Sequence, residues 1–302
     1  MHERWKPGAL TAVIMVATGL PVYAAVTVPQ PDLPASAIEL APHRAIYDMT
    51  LGRAAAGANV GEVRGRLVFD FNGSPCDGYT LNTRLVTEIV DRDGKATTTD
   101  MRSSTWEHAN GERFKFNSSQ FQNQRLSEQV AGLASRARDG ANVSVALEKP
   151  KKRQVRINGS SMFPTQHSLA ILDAARTGRN VVQANIYDGS EQGEKYFETT
   201  TFIGKPMPPG EDEALKGLAN ADKLGGLTSW PVSISYFENK PGEKPMGEGT
   251  PTYELSFRLY ANGVSRKLQI DYGTFSIAGE LTKIDFFEPG KCNGPAAKGE
   301  KK

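Results

Sequence analysis

The sequence has few of the residues that build metal centres. It contains two cysteines and four histidines among 302 residues, and no histidine lies three to five residues from another histidine or a cysteine. The motifs H-E-x-x-H, H-x-H and C-x-x-C are all missing. Because zinc and similar ions need several ligands at such spacings, we expect no metal site and no metal cofactor.

Motifs of common enzymes and nucleotide-binding proteins are missing too. The chain has no G-x-S-x-G nucleophile elbow and neither glycine-rich phosphate-binding pattern, G-x-G-x-x-G or G-x-x-x-x-G-K-[ST]. The formal net charge of +2 gives no indication of a polyanion partner, so we expect no binding of nucleic acid. Paired carboxylates from distant strands would leave no trace in the sequence, but we expect a protein that is not an enzyme and carries no cofactor.

Long apolar runs are confined to the start of the chain. Arg4 and Lys6 precede the apolar run 9–20, and V-Y-A at 22–24 follows it. This order predicts a secretion signal over residues 1–24, cleaved after Ala24. An uncleaved membrane anchor is the alternative, although the run is short for a transmembrane helix, and no later segment reaches about 18 apolar residues.

Two further segments differ in composition from the rest. Residues 25–40 hold three prolines without periodicity and predict an extended linker. Residues 294–302, G-P-A-A-K-G-E-K-K, predict a disordered, charged tail. Between them, residues 41–293 are long enough for a single β-barrel domain.

Alternation of apolar and polar residues with a period of two dominates this middle part. Glycine- and asparagine-containing turns predict hairpins, for instance 79–90 with 96–107 and 253–260 with 264–270. We expect a dozen or more half-buried antiparallel strands. The clearest alternation covers residues 43–51, 62–71, 78–90, 229–237 and 253–259.

Residues 162–178 break the alternation. Pro164 suits the first position of a helix and Gly178 suits the residue after its end. The segment between them is apolar around much of its circumference, which predicts a buried helix. A second, more exposed helix is predicted at 211–224. Many antiparallel strands with one buried helix predict a mainly β fold, an open or spiral-like β-barrel with the helix packed in or against it.

The stretch A-P-H-R-A-I-Y-D-M-T-L (41–51) gathers four polar residues that could form an acid–base cluster. In a strand, however, His43 and Tyr47 lie on the apolar face while Arg44 and Asp48 lie on the other, so the four do not form one site. We interpret His43 as the hydrogen-bonded first residue of a strand at the barrel rim. A catalytic or ligand-binding histidine is the alternative.

One run of charge stands out, K-P-K-K-R-Q-V-R at 149–156. The simpler interpretation is a solvated turn between two strands. The functional interpretation is a contact with anionic lipid headgroups or an acidic partner surface. Its basic residues are Lys149, Lys151, Lys152, Arg153 and Arg156.

Cys76 and Cys292 lie near the two ends of the middle part. In an exported protein, an even pair favours a disulfide over two free thiols. A structural zinc site would need two further ligands.

Several of these features together resemble the EipB family of cell envelope integrity proteins of alphaproteobacteria. They are the signal segment, the 41–51 stretch, P-C-D-G-Y at 75–79, the middle helix and F-F-E-P-G-K-C at 286–292. The resemblance implies a periplasmic, spiral-like β-barrel with a packed helix and a disulfide between Cys76 and Cys292. It also implies a role in envelope integrity under stress and a periplasmic partner with tetratricopeptide repeats. It implies no catalytic residues.

Two hypotheses follow. The first is a non-enzymatic envelope protein that acts by binding another protein. The second is a periplasmic carrier of lipid or lipoprotein, with an acyl chain held inside the curved sheet. A helix that fills the interior would argue against the second hypothesis. Its candidate lining residues are Phe69, Phe71, Tyr79, Trp230, Tyr236, Phe257 and Tyr260.

Overall fold

One continuous antiparallel sheet forms most of the computed structural model, which describes residues 38–137, 140, 142–212, 215–238 and 249–290. The predicted signal segment 1–24, most of the linker and the tail 294–302 lie outside the described residues. Within them the sheet has fourteen strands: β1 His43–Ala54, β2 Glu62–Ser74, β3 Gly78–Val90, β4 Ala96–Glu107, β5 Arg113–Gln122, β6 Arg125–Arg136, β7 Asn142–Lys149, β8 Arg153–Asn158, β9 Val181–Ile186, β10 Phe197–Ile203, β11 Ser229–Glu238, β12 Tyr253–Tyr260, β13 Ser265–Asp271 and β14 Phe275–Phe286.

The sheet order joins two runs of hairpins. Strands β1 to β8 pair in sequence, as do β9 to β14, and β1 pairs with β14 to unite the two runs. That pairing extends from His43 opposite Phe286 to Ala54 opposite Phe275. Strands β8 and β9 are the two edges, so the sheet is not closed. The mainly β, open antiparallel architecture predicted from the sequence is therefore confirmed.

Strand β1 shows how alternation in the sequence becomes a two-sided strand. Tyr47 and Met49 are buried, whereas Arg44 is exposed and its Nε lies 2.5 Å from Oδ1 of Asp70 on β2. Asp48 likewise pairs with an arginine of β2 on the outer face. Exposed pairs of this kind contribute at most about 1 kcal/mol each, so the burial of the other face determines the register.

The predicted helix 162–178 is confirmed as α1, Pro164–Arg176. Its first residue is the proline, and Gly178 follows the C-cap with a φ of +76°. The amide of Arg179 donates to the carbonyl of Ala174 at 2.8 Å and satisfies one of the last carbonyls of the helix. Among the described residues, no helix has both the length and the apolar character needed to span a bilayer.

The prediction of a second helix over 211–224 is largely wrong. Residues 213 and 214 are outside the described part, and the helix that the structure has here, α2, covers only Asp222–Gly225. Gly217 and Asn220 have φ angles of +85° and +63°, which a right-handed helix cannot contain. In the short helix Asp222 and Lys223 are exposed, whereas Leu224 is fully buried.

Helix α1 packs against strands from both halves of the sheet. Leu172 and Ile171 lie in one apolar cluster with Phe71 of β2, Trp230 of β11 and Leu259 of β12. A second cluster joins β1, β2 and β14 with α2, and a third lies among β5 to β8. Because residues of β2, β11 and β12 meet around α1, the helix occupies the interior between these strands.

The two sheet edges approach each other through the segment that leads into α1. The amide of Met162 donates to the carbonyl of Asn185 at 2.7 Å, and the amide of Tyr187 donates to the carbonyl of Met162 at 2.9 Å. Arg153 of β8 also forms an ion pair with Glu194, which follows β9. Met162 and the ion pair of Arg153 with Glu194 are thus among the described contacts that bridge the gap between β8 and β9.

Candidate functional site

Both ends of the described chain meet at one end of the barrel. Since β1 and β14 are neighbours, the residues before β1 lie beside those after β14, and the amide of Phe287 donates to the carbonyl of Pro42 at 2.9 Å. The segment after β14 also reaches the turn between β2 and β3. A Cβ placed on Gly290 would lie 3.3 Å from Oδ2 of Asp77. Three parts of the chain that are far apart in sequence are therefore in contact.

The β2–β3 turn, residues 75–77, carries Cys76 and is held by Ser74. Oγ of Ser74 donates to Oδ2 of Asp77 at 3.0 Å. It also accepts from the amides of Cys76 and Asp77 at 3.3 and 3.2 Å. Nε1 of Trp106 donates to the carbonyl of Asp77 at 3.2 Å. The backbone at Cys76 is thereby fixed. Cys292 lies outside the described residues, so the disulfide stays a prediction.

Between these three segments lies an open groove, which we call the terminal groove. Its volume is about 500 Å³. The ammonium of Lys223 lies 5.1 Å from the ring centre of Phe286, and Glu39 is exposed at the groove. The lining consists of residues 39–42, 73–75, 286–287 and 289–290, with Lys223 and Asn262.

A smaller cavity adjoins the terminal groove and shares Leu40, Ala41 and Asn262 with it. We call it the His43 cavity, and its volume is about 140 Å³. Its lining residues are Leu40, Ala41, His43, Phe69, Phe71, Leu81, Pro164, Thr165, Ser168, Asn262 and Gly263.

His43 occupies the position that the sequence predicts, the first residue of β1. It is 2% exposed, its Nδ1 lies 2.7 Å from the carbonyl oxygen of Ala41, and its ring stacks on Phe69 with centroids 5.6 Å apart. Burial lowers the pKa of His43, while the hydrogen bond to Ala41 opposes that shift. The ring is accordingly neutral near pH 7, with a proton on Nδ1 and a lone pair on Nε2.

Most of the aromatic residues considered for a lipid cavity are packed against other residues. Phe71, Tyr79 and Trp230 belong to the cluster around α1, and Phe257 packs against it. The Tyr260 hydroxyl donates to Oδ2 of Asp212 at 2.5 Å. The other candidate rings are Tyr236, which stacks on Tyr253 at 4.4 Å, and Phe69, which lines the His43 cavity. At about 140 Å³ this cavity is well below the roughly 300 Å³ of the smallest ordinary ligand pockets.

The basic run forms the hairpin between β7 and β8, far from the terminal groove along the sheet order. We call residues 149–156 the basic hairpin. Lys149, Lys151 and Lys152 are exposed at its turn. Arg153 pairs with Glu194, and Arg156 lies on β8, an edge strand of the sheet. Six strands separate β8 from β1, so the structure does not bring the run and the cysteine turn into one site.

A buried carboxylate at the start of α1 is absent from the sequence-based predictions. Glu107, the last residue of β4, accepts hydrogen bonds from the backbone amides of Thr165 at 2.7 Å and Gln166 at 2.9 Å. It thereby caps a helix whose own N-cap residue, Phe163, has no polar side chain. Burial raises the pKa of the Glu107 carboxyl to about 7, although both backbone hydrogen bonds lower it.

Arg136, at the end of β6, supports the same helix start. Its guanidinium donates to Oε1 of Gln166 at 2.9 Å and lies 5.0 Å from the ring centre of Phe163. Oε1 of Gln166 in turn accepts from the amide of Phe163 at 3.2 Å. These side chains position the start of α1 against the sheet. Across the described residues, no group of three or more histidine, cysteine, aspartate or glutamate side chains could hold a metal ion.

The fold and the site define a class of protein: an open antiparallel β-barrel that contains a helix. In this barrel the segments before β1 and after β14 meet at a cysteine-bearing turn. A model of EipB-like proteins matches residues 34–288. The chain therefore belongs to the EipB-like family.

A protein sequence and a crystal structure, both from Brucella abortus, are similar to it. The cell envelope integrity protein EipB of strain 2308 is 38% identical over 258 residues, which cover 85% of this chain and 88% of that protein. A crystal structure of a beta-barrel-like protein of a domain of unknown function is 36% identical, with a TM-score of 0.73. That match covers 83% of this chain and all of the other. Both similarities span most of the sheet described above.

Proposed function

We propose that this chain is an exported, periplasmic protein that supports the integrity of the cell envelope by binding another protein, without catalysing a reaction. Its membership of the EipB-like family and its 38% identity to a cell envelope integrity protein support the envelope role. The terminal groove carries the binding part of the proposal. It is about 500 Å³, open, and bounded by backbone that hydrogen bonds fix on two sides.

The partner we propose is a periplasmic protein with tetratricopeptide repeats. Such repeats stack into a superhelix with an extended concave surface, which suits a convex edge or an extended segment. Phe286, the last residue of β14, forms an apolar edge of the terminal groove together with Phe287 and Pro289, which follow it. The basic hairpin is a separate candidate for contact with anionic envelope lipid or with an acidic partner surface.

A disulfide between Cys76 and Cys292 would stabilise the walls of the groove. Gly290 already lies against the turn that carries Cys76, and Cys292 follows two residues later. Two residues span up to roughly 7 Å, and a disulfide joins Cα atoms about 4.4–6.8 Å apart. The bond would tie the segment after β14 to the β2–β3 turn. The loop it closes exceeds two hundred residues, for which the chain-entropy model allows about 5 kcal/mol at most.

Site-specific crosslinking in cells tests the binding surface. A photoreactive residue at Glu39, exposed at the terminal groove, should capture one protein of defined mass. The same residue at Glu128, exposed on β6 far along the sheet, is the matched control. Equal capture at both positions, or none at Glu39, would contradict a partner at the groove.

Native mass spectrometry of the mature protein tests the carrier alternative. We expect a bare chain two daltons lighter than its reduced form. An added mass of several hundred daltons that organic solvent extracts would instead favour an acyl-chain carrier. In that case the ligand site would have to be the terminal groove, because α1 occupies the interior between β2, β11 and β12.

A further inference from the structure

The His43 cavity combines aromatic and aliphatic walls with a few polar groups. Leu40, Phe69, Phe71 and Leu81 supply the apolar surface. Ser168, an exposed residue of α1, also lines the cavity. An apolar cavity of about 150 Å³ is large enough to bind benzene. At about 140 Å³, this cavity fits a single six-membered ring and little more.

The hydrogen bonds of His43 leave one ring atom for a ligand. Its Nδ1 is engaged by the carbonyl of Ala41 at 2.7 Å. Within the described residues Nε2 has no hydrogen-bond partner, although the side chain is 98% buried. A neutral imidazole in this tautomer presents Nε2 as an acceptor. Since His43 lines the cavity, Nε2 is an acceptor that the hydroxyl or amide donor of a ligand could satisfy.

Asn262 also lines the cavity and carries a donor group. Its carbonyl accepts from the amide of Ala41 at 2.9 Å, and its Oδ1 accepts from the amide of Val264 at 3.2 Å. Those bonds fix the β12–β13 turn and leave the Nδ2 amino group without a partner in the described part of the chain. A hydroxyl can donate to Nε2 of His43 and accept from Nδ2 of Asn262, which a purely apolar molecule cannot do.

We propose that the His43 cavity binds a phenol ring, with the ring packed against Phe69 and Phe71 and the hydroxyl between His43 and Asn262. Offset or edge contacts with the aromatic walls favour a ring over an alkyl group of equal volume. The phenol can come from a free small molecule or from a tyrosine side chain of a polypeptide that lies in the adjoining terminal groove. This site does not depend on the proposed envelope function.

Binding of phenol and toluene to the full chain, followed by calorimetry or NMR, tests the site. The two probes are similar in size, but only phenol has the hydroxyl. One hydrogen bond of ordinary net strength corresponds to roughly five-fold in affinity, so phenol should bind about that much more tightly. The ¹⁵N signal of Nε2 of His43 should shift with phenol and not with toluene. No saturable binding of phenol, or equal affinities for both probes, would overturn the proposal.

Three variants locate the binding. Asn262→Asp retains the Oδ1 that accepts from Val264 but removes the donor, and His43→Phe removes the acceptor. Each should abolish the preference for phenol. Ser168→Trp, at an exposed lining position on α1, should place an indole ring against the cavity and weaken the binding of both probes. Affinities for both probes that Ser168→Trp leaves unchanged would place the probes elsewhere and refute the assignment.

N-acetyl-tyrosinamide distinguishes the two sources of the ring. If it competes with phenol, the cavity accepts a tyrosine side chain on a peptide backbone. If phenol binds and the tyrosine derivative does not, the natural ligand is a free phenolic molecule.

Discussion

Oε2 of Glu107 accepts a 2.7 Å hydrogen bond from the amide of Thr165, 58 residues further along the chain. This contact and its neighbour at Gln166 join the end of β4 to the first turn of α1. The carboxyl group replaces the polar N-cap that the helix lacks, because its oxygens accept from the free amides of the first turn. The position of the interior helix thus depends on a strand residue.

Removal of this cap should destabilise the fold. Glu107→Ala leaves two buried amides without acceptors, which costs about 1–3 kcal/mol. We expect a lower melting temperature with an unchanged far-ultraviolet circular dichroism spectrum. Glu128→Ala, at an exposed site on β6, is the control and should stay within about 0.5 kcal/mol of the native protein.

The stability of the protein should depend on pH through Glu107. Its pKa rises from an ordinary value of 4.5 to about 7 on folding, so the folded state binds the proton more tightly than the unfolded state. Stability is therefore highest below pH 4.5 as far as this group is concerned, and it decreases as pH rises to about 7. The change is at most about 3 kcal/mol. Urea titrations between pH 4.5 and 8 should show this decrease in the native protein and a flatter profile in Glu107→Gln. Identical profiles would show that the carboxyl does not titrate in this range.

The disulfide prediction is tested by thermal unfolding with and without reductant. Cys76→Ser and Cys292→Ser should lower the melting temperature equally, and the double variant should not lower it further. Reductant should affect the native protein alone. If reductant leaves the native melting temperature unchanged, the two cysteines do not form a stabilising bond.

Leu172 tests the packing of α1 within the sheet. It is 0% exposed and lies in the cluster that joins β2, β11 and β12 around the helix. Leu172→Ala should cost about 2–5 kcal/mol in urea denaturation, because it creates a cavity in a close-packed core. Leu126→Ala removes the same atoms from a side chain that is 55% exposed and should cost less than about 0.5 kcal/mol.

The basic hairpin should bind anionic vesicles if it contacts lipid. Each lysine near an anionic surface contributes about 1 kcal/mol to the free energy of binding. Replacing the three turn lysines of the hairpin by glutamine should therefore lower the affinity for vesicles, measured by co-sedimentation at low salt, by about two orders of magnitude. High salt should abolish the difference. The matched control replaces three exposed lysines elsewhere, Lys95, Lys115 and Lys205. An equal loss in both triple variants would show that net charge, and not the hairpin, determines binding.

Local patterns predicted the strands and α1, because burial on one side of a strand and the proline and glycine at the helix ends act over a few residues. The 43–51 alternation gave the correct faces for Tyr47 and Arg44. The helix predicted over 211–224 is largely wrong. The apolar spacing of this segment resembles that of a helix, but Gly217 and Asn220 adopt positive φ angles.

Contacts between distant residues could not be predicted in the same way. Glu107 resembles any charged residue at the end of a hairpin strand, and its role depends on a helix 58 residues away. Tyr260 resembles a cavity lining residue but bonds to Asp212, which also accepts from the 1% exposed Arg266 at 2.9 Å. Local periodicity in the sequence does not indicate which distant residue forms a hydrogen bond with a buried polar group.

The pairing of β1 with β14 delays the completion of the sheet during folding. The hydroxyl of Thr282 donates to the carbonyl of Ile46, 236 residues earlier. Strand β1 therefore keeps one unpaired edge until β14 is available to pair with it. Such long-range pairing is slow to form and exposes an unpaired edge in the meantime. A chain that stopped before Phe275 would contain thirteen of the fourteen strands, yet it would fall into two separate sheets with no strand to join them.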